Sequence, residues 1–225
     1  MWSALHYLEN RLRNPLPGLP AQLRMMPDPP PPGQKTYAET GDDCLHGAVL
    51  ALIYPRGGKA HLVFIRRPLT VVHHKGQIAF PGGHVEDVET PAEAAVREAW
   101  EEVGVIPGNI RLLGALTPLY IPPSGYCIYP FVALTEIPPA FVPQPGEVDE
   151  IIETPLEHLL DENNLRTETW TFDIGPRQVP FYAFGPHKIW GATAMVLSEF
   201  LEILRSIDGL RSHLPASPDK ELLPS

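Results

Sequence analysis

The sequence predicts an α+β fold, an α/β/α sandwich in which a mixed β-sheet is flanked by helices, with a short helical extension at the N-terminus. Strand-like apolar runs and amphipathic helical patterns are intermixed without regular strand-helix alternation, which argues against a doubly wound parallel sheet. The 225 residues suffice for one main core plus elaborations. Hydrophobic residues are 44% and charged residues 20%, which excludes disorder of the whole chain.

Trp2, Leu5, Leu8 and Leu12 recur at helical spacing until Asn14-Pro15 stops the pattern. The run Pro27–Gly33 must be extended and semi-rigid, so residues 1–33 read as an extension, a packing arm or a dimer contact. Residues 34–208 read as the main domain and 209–225 as a loose tail. Gly47–Tyr54 and His61–Ile65 flank the turn signal Pro55-Arg56-Gly57-Gly58 and predict a hairpin. A helix is expected over Pro91–Val103, since Thr90, Pro91 and Glu93 form a capping box and Gly104 supplies a left-handed stop. Arg111–Leu116 and Cys127–Leu134 read as strands around a stiff loop, Tyr120–Gly125. Glu147–Ile152 alternates, Thr154–Leu160 reads as a short helix, and Glu168–Phe172 with Val179–Phe184 as a second hairpin. Ala192–Ile207 is a terminal amphipathic helix.

Lys and Arg number 17 against 27 Asp and Glu, a formal charge of −10, so nucleic acid and anionic membranes are disfavoured as partners. An acidic protein that handles phosphate needs a local device, and a carboxylate-held divalent metal is one. Cys44 and Cys127 are too few and too far apart for a staple framework or a thiolate metal cluster, so a reduced, cytoplasmic setting is expected. Residues 1–14 lack signal-peptide features, and no stretch approaches about 18 apolar residues.

The informative stretch runs from Phe80-Pro81-Gly82-Gly83 to Gly104-Val105. On the expected helix, Ala92, Ala95, Val96, Ala99 and Val103 share one arc, while Glu98, Glu101 and Glu102 share another at i, i+3, i+4 spacing. Such triplets are usually solvated faces, because like charges at this spacing repel. Here the triplet follows a Pro-Gly-Gly turn whose backbone can approach a ligand, and hard carboxylate oxygens suit Mg²⁺ or Mn²⁺.

This stretch resembles the box of the Nudix hydrolases, Gly-x5-Glu-x7-Arg-Glu-U-x-Glu-Glu-x-Gly-U, where U is bulky and aliphatic. Gly83, Glu89, Arg97, Glu98, Glu101, Glu102, Gly104 and Val105 occupy every fixed position, and Ala99 is smaller than the usual U residue. The resemblance implies a metal-dependent hydrolase cleaving a nucleoside diphosphate linked to another group. It implies Glu98 and Glu102 as direct metal ligands, Glu101 joining them or assisting a bound water, the Gly83 carbonyl completing the coordination shell, and Arg97 orienting Glu98 while Glu89 supports the loop. Direct water attack is expected, with either a box glutamate or a later-loop carboxylate, Glu150 or Glu147, as the base.

Upstream, Arg67, Gly76, Gln77, Phe80, Pro81, Gly82 and Gly83 are similar to the extra motif of the coenzyme A pyrophosphatase branch. Ile65, Pro68 and Val72 depart from it, Val72 standing where the branch has a second arginine. Further similarity extends the resemblance over roughly Cys44 to Arg205. It implies Arg67, Lys75, Gln77 and Gly82 as substrate-binding residues, within the basic cluster Arg66, Arg67, His73, His74 and Lys75. Trp190 and Tyr126 are candidates to stack on adenine, although buried aromatics more often belong to the core. The expected reaction converts coenzyme A or an acyl derivative to 3′,5′-ADP and a 4′-phosphopantetheine product. Alternatives are an ADP-ribose, nucleotide-sugar or dinucleotide pyrophosphatase and a non-catalytic Nudix-like binding module, and a homodimer is plausible because relatives often pair.

Overall fold

The computed structural model describes residues 7–40, 43–69, 75–122 and 124–207. Val72, His73, His74, the first helical residues Trp2 and Leu5, and the tail from Asp208 lie outside them. In chain order the elements are α1 (Leu8–Leu12), α2 (Leu19–Leu23), α3 (Tyr37–Thr40), β1 (Leu45–Arg56), β2 (Lys59–Arg66), β3 (Ile78–Ala79), β4 (Gly82–His84), α4 (Pro91–Val103), β5 (Arg111–Ala115), β6 (Leu119–Ile121), β7 (Tyr126–Leu134), β8 (Glu150–Pro155), α5 (Leu156–Leu160), β9 (Leu165–Phe172), β10 (Gly175–Phe184), β11 (His187–Trp190) and α6 (Gly191–Arg205).

The main sheet is mixed, as expected. β1 lies at its centre, parallel to β7 on one side and antiparallel to β2 and β4 on the other. β2 pairs with β1 only near the hairpin turn, Ile53 opposite Leu62. Where the two strands part, β3 pairs with β2 and β4 with β1, so residues 78–84 fill the gap like a wedge. β8 extends the sheet beyond β2, and β5 and β6 both pair with β7.

Alternation along β1 sorts its side chains onto two faces. Ala48, Leu50, Leu52 and Tyr54 pack under Ala95, Ala99 and Val103 of α4. Ala51 and Ile53 join Leu8, Leu12 and the buried face of α6 on the other. Helices on both faces give the α/β/α sandwich. A second, three-stranded sheet, β11-β10-β9, contributes Tyr182 and Ile189 to the larger core.

Some elements differ from the sequence reading. The loop expected from Tyr120 begins in β6, and the helix expected from Thr154 begins at Leu156 because Thr154 and Pro155 are paired with β2. Residues near the N-terminus pack closely: fully buried Glu199 of α6 accepts from Gly18 N, Gln22 Nε2 and the backbone and hydroxyl of Thr117. A buried carboxylate is tolerated when its lone pairs are taken up in this way.

The cysteine reading is corrected outright. Cys44 and Cys127, 83 residues apart in sequence, form a disulfide with their Cα atoms 5.8 Å apart. Parallel pairing sets Leu45 opposite Tyr126, bringing the two residues together.

Candidate active site

The wedge places the glycine bend against the helix. Gly82 lies opposite Val49 with φ +157°, and a Cβ there would collide with the Ala48 carbonyl. A Cβ on Gly83 would overlap the Glu98 carboxyl. The missing side chains thus let the backbone of β4 touch β1 at Gly82 and α4 at Gly83, and the ends of α4 are fixed as expected. Thr90 Oγ1 accepts from Glu93 N, Glu93 reaches back to Thr90 N at 2.8 Å, and Gly104 closes the helix at φ +74°.

Glu102, only 4% exposed, accepts the Gly82 N–H at 2.8 Å. Burial pushes its carboxyl up to about 8, with the charges of Glu98 and Glu147 adding to the rise and the Gly82 hydrogen bond and Arg67 opposing it. Burial also raises Glu98, opposed by Arg97. Glu101 is turned more toward solvent and meets Arg97 at 2.9 Å.

Arg97 spends its whole guanidinium within the site. Nε and Nη2 donate to the two oxygens of Glu89 at 3.0 and 2.7 Å, Nη1 donates to Glu98 and Glu101, and Nη2 also donates to the His84 carbonyl. Five donors meet five acceptors, so none is left for a substrate, and Arg97 is a positioning residue. Glu89 in turn accepts Glu86 N at 2.9 Å, fixing the loop between β4 and α4.

The expected substrate-binding residues border this centre. Arg67 exchanges backbone hydrogen bonds with Gln77 and Gly76, which closes the turn carrying exposed Lys75. Its Nε is buried without a hydrogen-bond partner among the described residues, while its charge is felt at Glu102. Tyr126 meets His84 edge-on at 6.1 Å.

The two later carboxylates are separated. Loop residues Val142 and Gln144 donate to the carbonyls of Val103 and Glu102, and Gln144 O accepts from Glu147 and Val148. The loop is thereby strapped to the end of α4, and the Glu147 charge acts on both Glu98 and Glu102. Glu150 begins β8 opposite Arg66, bonds Arg66 at 2.9 Å and lies 3.3 Å from His187. Sequence reasoning missed His187 and Lys188, since only the turn residues Gly185-Pro186 mark them.

Among the described residues no three His, Cys, Asp or Glu side chains are gathered as a ready-made ion cage. The donor chemistry nevertheless fits a hard divalent cation. Glu98 and Glu102 are oxygen donors whose raised pKa reflects negative charge held out of water, and the Gly82–Gly83 backbone lies against both.

A family description, the NUDIX domain, matches residues 45–174. The chain is 34% identical over 181 residues to the Nudix hydrolase NudL of Photorhabdus laumondii, covering 77% of this chain and 90% of that one. It is 31% identical over 155 residues to the mitochondrial coenzyme A diphosphatase NUDT8 of Homo sapiens, covering 66% and 64%. To the peroxisomal coenzyme A diphosphatase ndx-8 of Caenorhabditis elegans it is 35% identical over 122 residues, about half of each chain. With the box residues assembled between β4 and α4 and the match spanning more than half its length, the chain belongs to the Nudix family of hydrolases.

Proposed function

We propose that the chain hydrolyses the diphosphate of coenzyme A or an acyl derivative, releasing 3′,5′-ADP and a 4′-phosphopantetheine product. The observation that carries this reading is the junction of the Glu102–Gly82 contact with the turn closed by Arg67 and Gln77, where the charge of Arg67 acts on the Glu102 carboxylate. Similarity to the two coenzyme A diphosphatases supports it.

Glu98 and Glu102 would hold Mg²⁺ or Mn²⁺, with Glu101 and the Gly83 carbonyl as further oxygen donors. When bound, the ion supplies positive charge against the diphosphate oxygens and makes water a stronger acid. Arg97 keeps Glu98 and Glu101 in place through Glu89. Arg67 offsets charge on the diphosphate, Lys75 meets the substrate's anionic groups from the adjoining turn, and Gln77 and Gly82 line the approach. Water oxygen attacks one phosphorus, the bridging P–O bond breaks, and a carboxylate takes the proton. Glu147 suits that last role better than Glu150, because its charge reaches the metal carboxylates whereas Glu150 is committed to Arg66 and His187.

Val72, in place of the branch's second arginine, favours a second reading, hydrolysis of ADP-ribose or a dinucleotide. Rates on coenzyme A, dephospho-coenzyme A, ADP-ribose, NADH and a dinucleoside polyphosphate, each with Mg²⁺ and Mn²⁺, test both. Coenzyme A should be preferred over its dephospho form. Equal rates would remove the preference, and no turnover of any of them would remove the enzyme reading.

A further inference from the structure

A cavity of about 420 Å³ opens between the Lys75–Ile78 turn and β11, within the size range of small-molecule sites. Its walls include Arg66, Lys75, Gln77, His187, Lys188 and Trp190, the last three from the second sheet. None of those three second-sheet residues belongs to the Nudix box.

The charges are unevenly satisfied. Arg66 is balanced by Asp149 and Glu150, and Glu150 also faces His187. Lys188 is paired with Glu168 and sits 5.0 and 5.5 Å over the rings of Phe181 and Trp170. An ammonium has three N–H donors, so the pairing leaves capacity for a second anion. Exposed Lys75 has no ion-pair partner among the described residues.

Trp190 is half-buried and braced edge-on by Trp170, with centroids 5.0 Å apart at 75°. An aromatic ring flanked by lysines presents a stacking surface beside a phosphate partner, the pairing that an adenosine monophosphate group requires. The path from Gln77 to Gly83 spans at most about 20 Å even when fully extended. Arg67 joins the two places, since its backbone N–H donates to Gln77 O at the cavity wall while its charge acts on Glu102 beside the glycine bend.

We infer that this cavity seats the adenosine 3′-phosphate half of the substrate, with Trp190 under the base and Lys75 and Lys188 on the 3′-phosphate. The inference rests on the coenzyme A reading and deepens it. Lys188 reaches the cavity from β11, a strand far from Lys75 in the chain.

Binding of 3′,5′-ADP and of AMP, which lacks only the 3′-phosphate, tests the assignment in the full-length chain. The native protein should bind 3′,5′-ADP at least about tenfold more tightly, by titration calorimetry. Lys75→Met and Lys188→Met should each cut that preference about threefold or more, and together they should abolish it. Trp190→Phe should weaken both ligands to a similar degree. Equal binding of the two ligands by the native protein, or a preference that survives the double lysine variant, overturns the assignment. Failure of the parent reading is separate: it would show as intact coenzyme A in a reaction where ADP-ribose is consumed.

Discussion

Arg97 grips Glu89 with two parallel hydrogen bonds, Nε to Oε2 at 3.0 Å and Nη2 to Oε1 at 2.7 Å, across the loop joining β4 to α4. The pair ties the glycine bend to the helix that carries the carboxylates. Both side chains are largely shielded, so the pair escapes much of the screening that weakens surface bridges.

Arg97→Lys keeps the charge but loses the planar fork. The expected result is a fall in kcat of about tenfold to a hundredfold with KM little changed, and a stability loss of about 1–2 kcal/mol. Glu89→Gln should have a smaller effect in the same direction. Steady-state kinetics with denaturant titration check this, and a change confined to KM would assign Arg97 to substrate contact instead.

Glu102→Gln should lower turnover by at least about a hundredfold while leaving the fold intact, because Gln keeps an acceptor for the Gly82 N–H. Thermal melts give an independent readout. A ligand that binds only the folded state raises its stability by mass action, so Mg²⁺ should raise the native melting temperature and do so much less in the variant. An identical shift in both would remove Glu102 from the ion site.

The α4 cap carries a pH signature. Hydrogen bonds from Thr90 hold the Glu93 carboxyl below its usual range. A depressed folded-state pKa contributes stability above the unfolded value, lost as pH falls through the folded one. Thr90→Ala should therefore destabilise the protein at neutral pH, and the difference from the native protein should shrink below about pH 4. Denaturant unfolding across that range measures it, and a constant difference would separate Glu93 from the cap.

Joining Cys44 to Cys127 closes a long loop, for which reduction should cost about 2–4 kcal/mol. Protein purified without reductant and denatured should show no reactive thiol, and two after reduction. Two thiols before reduction would return the cysteines to the separate state read from the sequence.

The box on α4 was legible because every signal there is local. Thr90, Pro91, Glu93 and Gly104 fix the helix ends by short-range hydrogen bonds and backbone preference, and 3.6-residue periodicity then places Glu98, Glu101 and Glu102 without reference to the rest of the chain. The β1–β2 hairpin was legible for the same reason, its turn lying between two apolar runs. β3, β4, β6 and β11 were not, since strands of two to four residues carry too little periodicity and form only where a neighbour offers a free edge.

By itself, then, the sequence determined the catalytic helix, the glycine bend and their family. Tertiary structure decided which distant residues join them. Non-local pairing brought Cys127 to Cys44, strapped Glu147 beside Glu102 while giving Glu150 to Arg66, and set Trp190 and Lys188 across from Lys75. Local patterns encode local geometry, whereas juxtapositions across the fold arise only when strand register and packing are fixed together.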